Sequence, residues 1–341
     1  MNDTPNTPAP SAADPQKTHL AAEYKYTSPL LSCRFDASGQ FVFATAYDNT
    51  IQRWHLASGK ATPLVGHDSW VRALAFHPSG SHLYSGGYDG RVLVWEAAAE
   101  APQPIRTIEA HQGWVRAVAV SPDGTRMATS GNDNLVKIWD TTDGRLVDEL
   151  IGHANHVYNV VFHADGQRVV SGDLKGNVRE WDLATGEQLR TFDAAPLWKY
   201  DPGFQADIGG VRGISFSHDG QWLACGGITE VSNAFAGIGH PLAVVFDYAS
   251  GQSKQQHVSG AKLKGPLWNV RFHPAGYLIG GCGGHDGGHL LFWKLDQPAE
   301  YFDFKLPDIC RDFDLHTDGL RMATSHEDKT LRVWQMTPKV A

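Results

Sequence analysis

One four-residue turn motif that ends in glycine recurs along the chain, and it restricts the fold more than any other feature. It reads "DASG", "HPSG", "SPDG", "HADG", "SHDG", "HPAG" and "HTDG", closing at Gly39, Gly80, Gly124, Gly166, Gly220, Gly276 and Gly319. Successive spacings are 41, 44, 42, 54, 56 and 43 residues. These are seven units of about 42 residues, two of them stretched by about a dozen, and periods of ~40–45 residues mark repeat architectures.

Within a unit the order of segments is constant. In "GHDSWVRALAFHPSGSHLYSGGYDGRVLVWE" an apolar run, "VRALAF", precedes the motif and a second, "HLYSG", follows it. A tight turn at Tyr88-Asp89-Gly90 leads into a third run, "RVLVW", and a more polar fourth, "IRTIEA", closes the unit. Short Val-, Leu-, Phe- and Trp-rich runs bounded by Gly and Asp are strands. Being apolar on both faces, they belong to sheets covered on both sides.

The residues at fixed places in these units resemble the WD-repeat (Trp–Asp repeat) β-propeller family. Gly66-His67 opens a unit and Asp89 lies six residues before Trp95. The opening recurs as Ala110-His111 and Gly152-His153, and the Asp-to-Trp spacing recurs at Asp48/Trp54, Asp133/Trp139 and Asp328/Trp334. Two units end in a literal Trp-Asp, at Trp139-Asp140 and Trp181-Asp182. The resemblance spans residues 18 to 337 and implies an all-β fold: a single seven-bladed propeller of four-stranded antiparallel blades. It also implies hydrogen-bonded tetrads, His67–Ser85–Asp89–Trp95 and His111–Thr129–Asp133–Trp139, that tie each turn to its own sheet. A His, Ser and Asp together also suggest a hydrolytic triad, but repetition from blade to blade favours structure. Blade 4 carries Lys175 at the Asp position, blade 5 has Phe246 for Trp, and blades 1, 5, 6 and 7 lack the Gly-His pair, so these are expected to rely more on packing.

The last unit ends soon after Trp334 without a fourth strand, whereas "THLAAEY" (18–24) precedes the first. That segment is expected to complete the last blade and close the ring, which removes open sheet edges. Residues 1–17, rich in Pro, Asn, Thr and Ala, read as a disordered tail, and 338–341 as a short C-terminal tail. Four separated cysteines, Cys33, Cys225, Cys282 and Cys310, form no CxxC pair and suit a reducing, cytoplasmic setting. No apolar run reaches the ~18 residues of a membrane span. A net charge of −8 argues against general binding to nucleic acid.

The run "GGCGGHDGGH" (280–289) falls where blade 2 has its Tyr88-Asp89-Gly90 turn. It lacks the Lys-Ser/Thr and following helix of a phosphate loop. Cys282, His285 and His289 could hold a metal only by folding on themselves. An elongated turn using left-handed glycines is the simpler reading, with no metal or cofactor. His77, His163, His273 and His316 share one turn position in different blades and cannot converge on an ion.

The binding surface is expected on the face that carries the turns between strands two and three and between blades. Both extra stretches, 193–210 and 228–240, emerge there from blade 5. The second residue of strand one is Arg72, Arg116, Arg212 or Arg311 in four blades, and Tyr158 or Trp268 in two more. Trp70, Trp114, Tyr47 and Tyr88 lie beside it, and exposed Trp, Tyr and Arg carry much of the binding energy at interfaces. The resemblance implies a partner-contact face. The expected function is a non-catalytic scaffold, monomeric on its own, that binds a protein or peptide of acidic or phosphorylated character. The alternatives are an enzyme using the top cavity, for which no catalytic motif is present, and a nucleic-acid-associated propeller.

Overall fold

The computed structural model describes residues 13–233, 238–260 and 263–339. Seven four-stranded antiparallel sheets follow one another along the chain, with one two-stranded hairpin between the fourth and fifth. Among the described residues there is no α-helix, only 3-10 turns at Pro15–Lys17 and Ala195–Leu197. Blades 1 to 7 have as their first strands Leu30–Phe35, Val71–Phe76, Val115–Val120, Val157–Phe162, Gly213–Phe216, Leu267–Phe272 and Cys310–Leu315. Each first strand contacts the first strand of the next blade, and that of blade 7 contacts that of blade 1, so the seven form a closed ring around an axis. The fourth strand of the last sheet is His19–Lys25, which runs antiparallel to Thr330–Gln335 from His19↔Gln335 to Lys25↔Thr330.

Apolar layers fill the spaces between neighbouring blades, as the two-sided hydrophobic strands require. One cluster joins Leu30, Val42 and Trp54 of blade 1 to Ala323, Leu331 and Val333 of blade 7. Another joins Ala117, Ala128 and Ile138 of blade 3 to Val157, Val169 and Trp181 of blade 4. On the face opposite the rim, turn histidines reach across to the next blade: His77 Nε2 lies 3.1 Å from Gly124 O, and His273 Nε2 lies 2.7 Å from Gly319 O.

The tetrads form with a single consistent direction of donation. Trp95 Nε1 donates to Ser85 Oγ at 2.8 Å, Ser85 lies 2.8 Å from His67 Nε2, and His67 Nδ1 lies 2.9 Å from Asp89. Indole can only donate and carboxylate can only accept, so the serine hydroxyl donates to His67 Nε2, and Nδ1–H donates to Asp89. Trp139, Thr129, His111 and Asp133 repeat the chain in blade 3. Burial opposes ionisation of Asp89, but His67 and the amides of Asp68 and Arg91 hold its carboxyl well below the usual range.

Two blades that depart from the motif, 4 and 7, keep such a network, and blade 1 keeps a part of it. In blade 4 the carboxylate comes from Asp173, two residues before Lys175, and it accepts from His153 Nδ1 at 3.0 Å while Trp181 donates to Ser171. In blade 7 the imidazole is His326 on the second strand: Trp334 donates to Thr324 at 2.7 Å, Thr324 pairs with His326 Nε2, and Nδ1 donates to Asp308 O. In blade 1 Tyr26, 22 residues before Asp48 as His67 is before Asp89, donates to that carboxylate at 2.8 Å. The expectation that these blades rely more on packing is corrected for blades 4 and 7; in blade 1 the Tyr26–Asp48 pair does not extend to Trp54 among the described residues. In blade 6 Trp293 donates to Val258 O, because Gly280 stands where a hydroxyl would be.

Two further expectations change. Residues 280–284 and 287–289 are strand rather than turn: Tyr277–Gly284 and Gly287–Lys294 pair down to Gly284↔Gly287, which leaves only His285 and Asp286 as the turn. Of these glycines only Gly287 has a left-handed φ, at 94°. The others are required by close approach, because a Cβ on Gly283 would collide with Cys310 O and one on Gly288 with Asp308 O. Within the expected tail, residues 13–17 dock on blade 7: Asp14 N donates to Met336 O at 2.8 Å and Pro15 is buried. Apolar contact with the blade holds Ala13 there too. Residues 1–12 and 340–341 lie outside the described residues.

Candidate functional site

Six first strands carry a β-bulge at the same place, with register shifts at Leu30/Ser32, Val71/Ala73, Val115/Ala117, Val157/Asn159, Leu267/Asn269 and Cys310/Asp312. The residue skipped by pairing is Leu31, Arg72, Arg116, Tyr158, Trp268 or Arg311. A bulge frees one residue from the ladder and re-aims its side chain. Here it turns the second position of each strand onto the mouth of the axial channel, and Arg212, just ahead of Gly213–Phe216, stands at the equivalent place in blade 5. A cavity of about 630 Å³ runs down the axis, lined at its mouth by Tyr47, Trp70, Arg72, Tyr88, Arg116 and Tyr158, and also by Arg212, Trp268 and Arg311.

The rim divides into two groups. Over blades 1 to 3, Tyr47, Trp70, Tyr88 and Trp114 form a row with ring centroids 4.7, 6.2 and 4.1 Å apart, the last pair stacked with planes parallel within 1°. Trp70 and Trp114 are 44% and 41% exposed, an unusual display of indole surface. Arg116 lies over Trp114 at 4.5 Å and Tyr158 at 4.6 Å, and its Nε donates to Asn132 Oδ1 at 2.7 Å. The second group surrounds Trp268, whose ring carries Arg212 at 4.7 Å, Arg72 at 4.9 Å and Arg311 at 5.5 Å. Trp268 Nε1 is anchored to Gly283 O at 2.9 Å.

Deeper in the channel lies a polar seam that sequence reading did not identify. Asp312 Oδ2 accepts from Ser32 Oγ at 2.6 Å and from Arg34 at 2.7 Å, and Oδ1 accepts from Asn269 at 2.9 Å. This one carboxylate joins blades 7, 1 and 6. Burial opposes its charge, while Arg34 and Arg72 help hold its pKa below the usual value. Burial raises that of Asp314, whose carboxylate accepts from Phe35 N. A signal was present: Ser32 and Arg34, Asn269 and Arg271, and Asp312 and Asp314 occur two residues apart, on the channel side of otherwise apolar strands. Blades 2 and 3 place Ala73, Ala75, Ala117 and Ala119 there.

Both stretches inserted in blade 5 form β structure beside the mouth. Residues 198–209 fold as a hairpin, Trp198–Asp201 against Ala206–Gly209, with Trp198 donating to Asp207 at 2.9 Å. The other continues the second and third strands as Trp222–Asn233 and Ile238–Asp247, residues 234–237 lying outside the described ones. Lys199 Nζ donates to Val231 O at 2.8 Å and ties the two together.

The chemistry on offer is recognition. Ser85, the hydroxyl of an apparent triad, is fully buried and already accepts from an indole. Burial pushes the Cys282 thiol up to about 12. Among the described residues no three His, Cys, Asp or Glu are placed to hold a metal ion, and no helix is long and apolar enough to cross a membrane.

Closed ring, bulged rim and repeated tetrads define a β-propeller whose variable residues gather at one end of its channel. The chain belongs to the WD40 family: the family model described as "WD domain, G-beta repeat" matches residues 18–55, 60–96, 102–140, 144–182, 203–228 and 306–335. The stretch between the last two matches includes blade 6, where the glycine strands replace the usual hydroxyl and turn. Similar proteins include nuclear distribution protein nudF 2 of Talaromyces marneffei, 37% identical over 30% of this chain and 21% of that protein. Nuclear distribution protein PAC1 of Arthroderma otae is 34% identical over 24% and 18%, respectively. Nuclear distribution protein nudF of Aspergillus terreus is 36% identical over 27% and 19%. Each match spans about a fifth of the relative's length.

Proposed function

We propose that this propeller is a non-catalytic scaffold whose rim face, carrying Tyr47, Trp70, Arg72, Tyr88, Trp114 and Arg116 with Tyr158, Arg212, Trp268 and Arg311, binds a protein segment of acidic or phosphorylated character. The observation that carries this reading is the channel's charge. Six arginines line it, Arg34, Arg72, Arg116, Arg212, Arg271 and Arg311, and among the described residues only three face carboxylates, those of Asp312, Asp314 and Glu327, in a protein of net charge −8. Such local concentration of one sign steers an oppositely charged ligand. The exposed indoles supply apolar contact beside it. Four free buried cysteines suit a reducing compartment such as the cytoplasm.

The test is capture of partners by the tagged full-length protein, followed by the double substitution Arg72→Ala with Arg116→Ala. A charge-assisted pair is worth ~1.5–3 kcal/mol, so loss of two should weaken binding about a hundredfold or more. Normal binding by that variant, with loss on replacing His77 and His163 on the opposite face, would move the working surface to the other side.

A further inference from the structure

The arginines at the mouth are not equally provided for. Arg34 pairs with Asp312 at 2.7 Å, Arg311 with Glu327 at 2.7 Å, and Arg271 has Asp314 at 3.9 Å. Arg72, Arg116 and Arg212 have no carboxylate partner among the described residues. Arg72 donates to the carbonyl of Leu31 at 3.0 Å, and Arg116 to an amide oxygen and, at 3.4 Å, to Tyr88 OH. The Arg212 side chain donates no hydrogen bond among the described residues: its Nε is buried without a partner, and the guanidinium lies over the face of Trp268. Burial lowers its pKa, and Arg72 and Arg116 add repulsion. A partly buried cation whose Nε has no hydrogen-bonding partner is unfavourable, and such a group in a cleft marks a candidate functional site.

Resting on the proposed reading of the rim, we infer that the space between Arg72, Arg116 and Arg212 receives a phosphate monoester dianion borne on a partner's side chain. Three guanidinium groups arrive from three blades, so their donors approach from separate directions. A carboxylate presents two oxygens in one plane and a single charge. A phosphate presents three acceptor oxygens in a tetrahedral array and ≈ −1.5 to −2 charge at neutral pH, matching both the spread of donors and the excess of charge. Trp268, anchored through its indole N–H, holds the planes of Arg72 and Arg212, which reduces the ordering needed on binding.

Three probes separate the alternatives on the full-length protein: N-acetyl-O-phosphoserine methylamide, its glutamate counterpart, and inorganic phosphate. Binding is read from the Trp268 indole ¹⁵N–H resonance and from thermal stabilisation at matched ionic strength. The phosphoserine probe is expected to bind at least tenfold more tightly than the glutamate probe. Arg212→Gln should reduce that affinity at least tenfold, while Arg145→Gln on the outer edge leaves it unchanged. Arg212→Gln should also melt close to the wild-type temperature without ligand, because the side chain donates no hydrogen bond among the described residues. Equal affinity for the phosphoserine and glutamate probes would refute the phosphate inference and leave the acidic-segment reading standing. So would absence of binding by either probe while a captured partner still needs Arg72 and Arg116. Tight binding of inorganic phosphate with none of the phosphoserine probe would overturn the assignment to a protein side chain. Should Arg212→Gln fail to fold, the wild-type titrations decide alone.

Discussion

Replacing Asp173 by Ala separates motif position from physical role. Asp173 is fully buried and accepts from His153 Nδ1 at 3.0 Å and from the amides of Lys175 and Asn177 at 2.9 and 3.0 Å, with Asn177 Nδ2 adding a contact at 3.0 Å. The Asn177 side chain is exposed and regains water, but the His153 ring N–H does not, since that imidazole is buried. Each hydrogen bond to a charged acceptor is worth ~1.5–3 kcal/mol, and losses within one network are less than additive. A total of about 3–5 kcal/mol follows, at the upper end for a point substitution. Lys175 occupies the place where the motif has its Asp, yet its ammonium is partly exposed, 3.4 Å from Asp207. Lys175→Ala should cost under about 1 kcal/mol. Asp173→Asn, which keeps one acceptor and loses the charge, should fall between. Urea unfolding followed by both tryptophan fluorescence and far-UV circular dichroism measures all three. Equal costs for Asp173→Ala and Lys175→Ala, or under about 1 kcal/mol for the first, would refute the account of blade 4.

Burial lowers His257 and His326 to about 4, so the folded protein keeps both neutral while the unfolded chain, at ~6.5, takes up protons. Their contribution is therefore full above about pH 6.5 and is lost as pH falls towards 4; urea midpoints from pH 7.5 to 4.5 should decline, and His257→Gln should flatten that slope. Gly283→Ala forces a Cβ onto the Cys310 carbonyl and should cost more than about 2 kcal/mol. Gly276→Ala meets open space and only an unfavourable φ of 86°, so it should cost about 1 kcal/mol; denaturant midpoints of the two check the order. Deleting residues 1–12 should leave the melting temperature nearly unchanged, whereas deleting 1–26 removes a whole strand of blade 7 and should lower it sharply; equal effects would contradict the pairing.

The repeat and blade count were legible because turn chemistry is local: a positive φ at Gly39, Gly80 and Gly124 demands glycine wherever the turn recurs. The tetrads were legible only where each member kept its place. Asp173 and His326 perform the same work from other positions, and Tyr26 meets the turn carboxylate from the histidine's place with a different side chain, because a buried donor requires an acceptor within reach and not a particular residue at a particular offset. The glycine run was misread as a turn because glycine has two physical uses, left-handed backbone and close approach. The second depends on Cys310 and Asp308, 27 and 20 residues beyond the glycines they crowd. Arg212 was picked out by position, but its lack of a partner depends on its neighbours from other blades in three dimensions.

The bulge explains how the rim can vary while the blades remain intact. In six blades the residue at the channel mouth is the one that the ladder skips, so its identity is released from pairing, and Leu31, Arg72, Tyr158 and Trp268 all stand there. The alternate positions deeper in the same strands do not have that freedom, since Asp312 must satisfy Ser32, Arg34 and Asn269 at once. Removing Asp312 would strand the part-buried Arg34 and loosen three blades together, whereas the Arg212 side chain donates no hydrogen bond among the described residues. That freedom from structural duty is what the proposed recognition at the channel mouth would draw on.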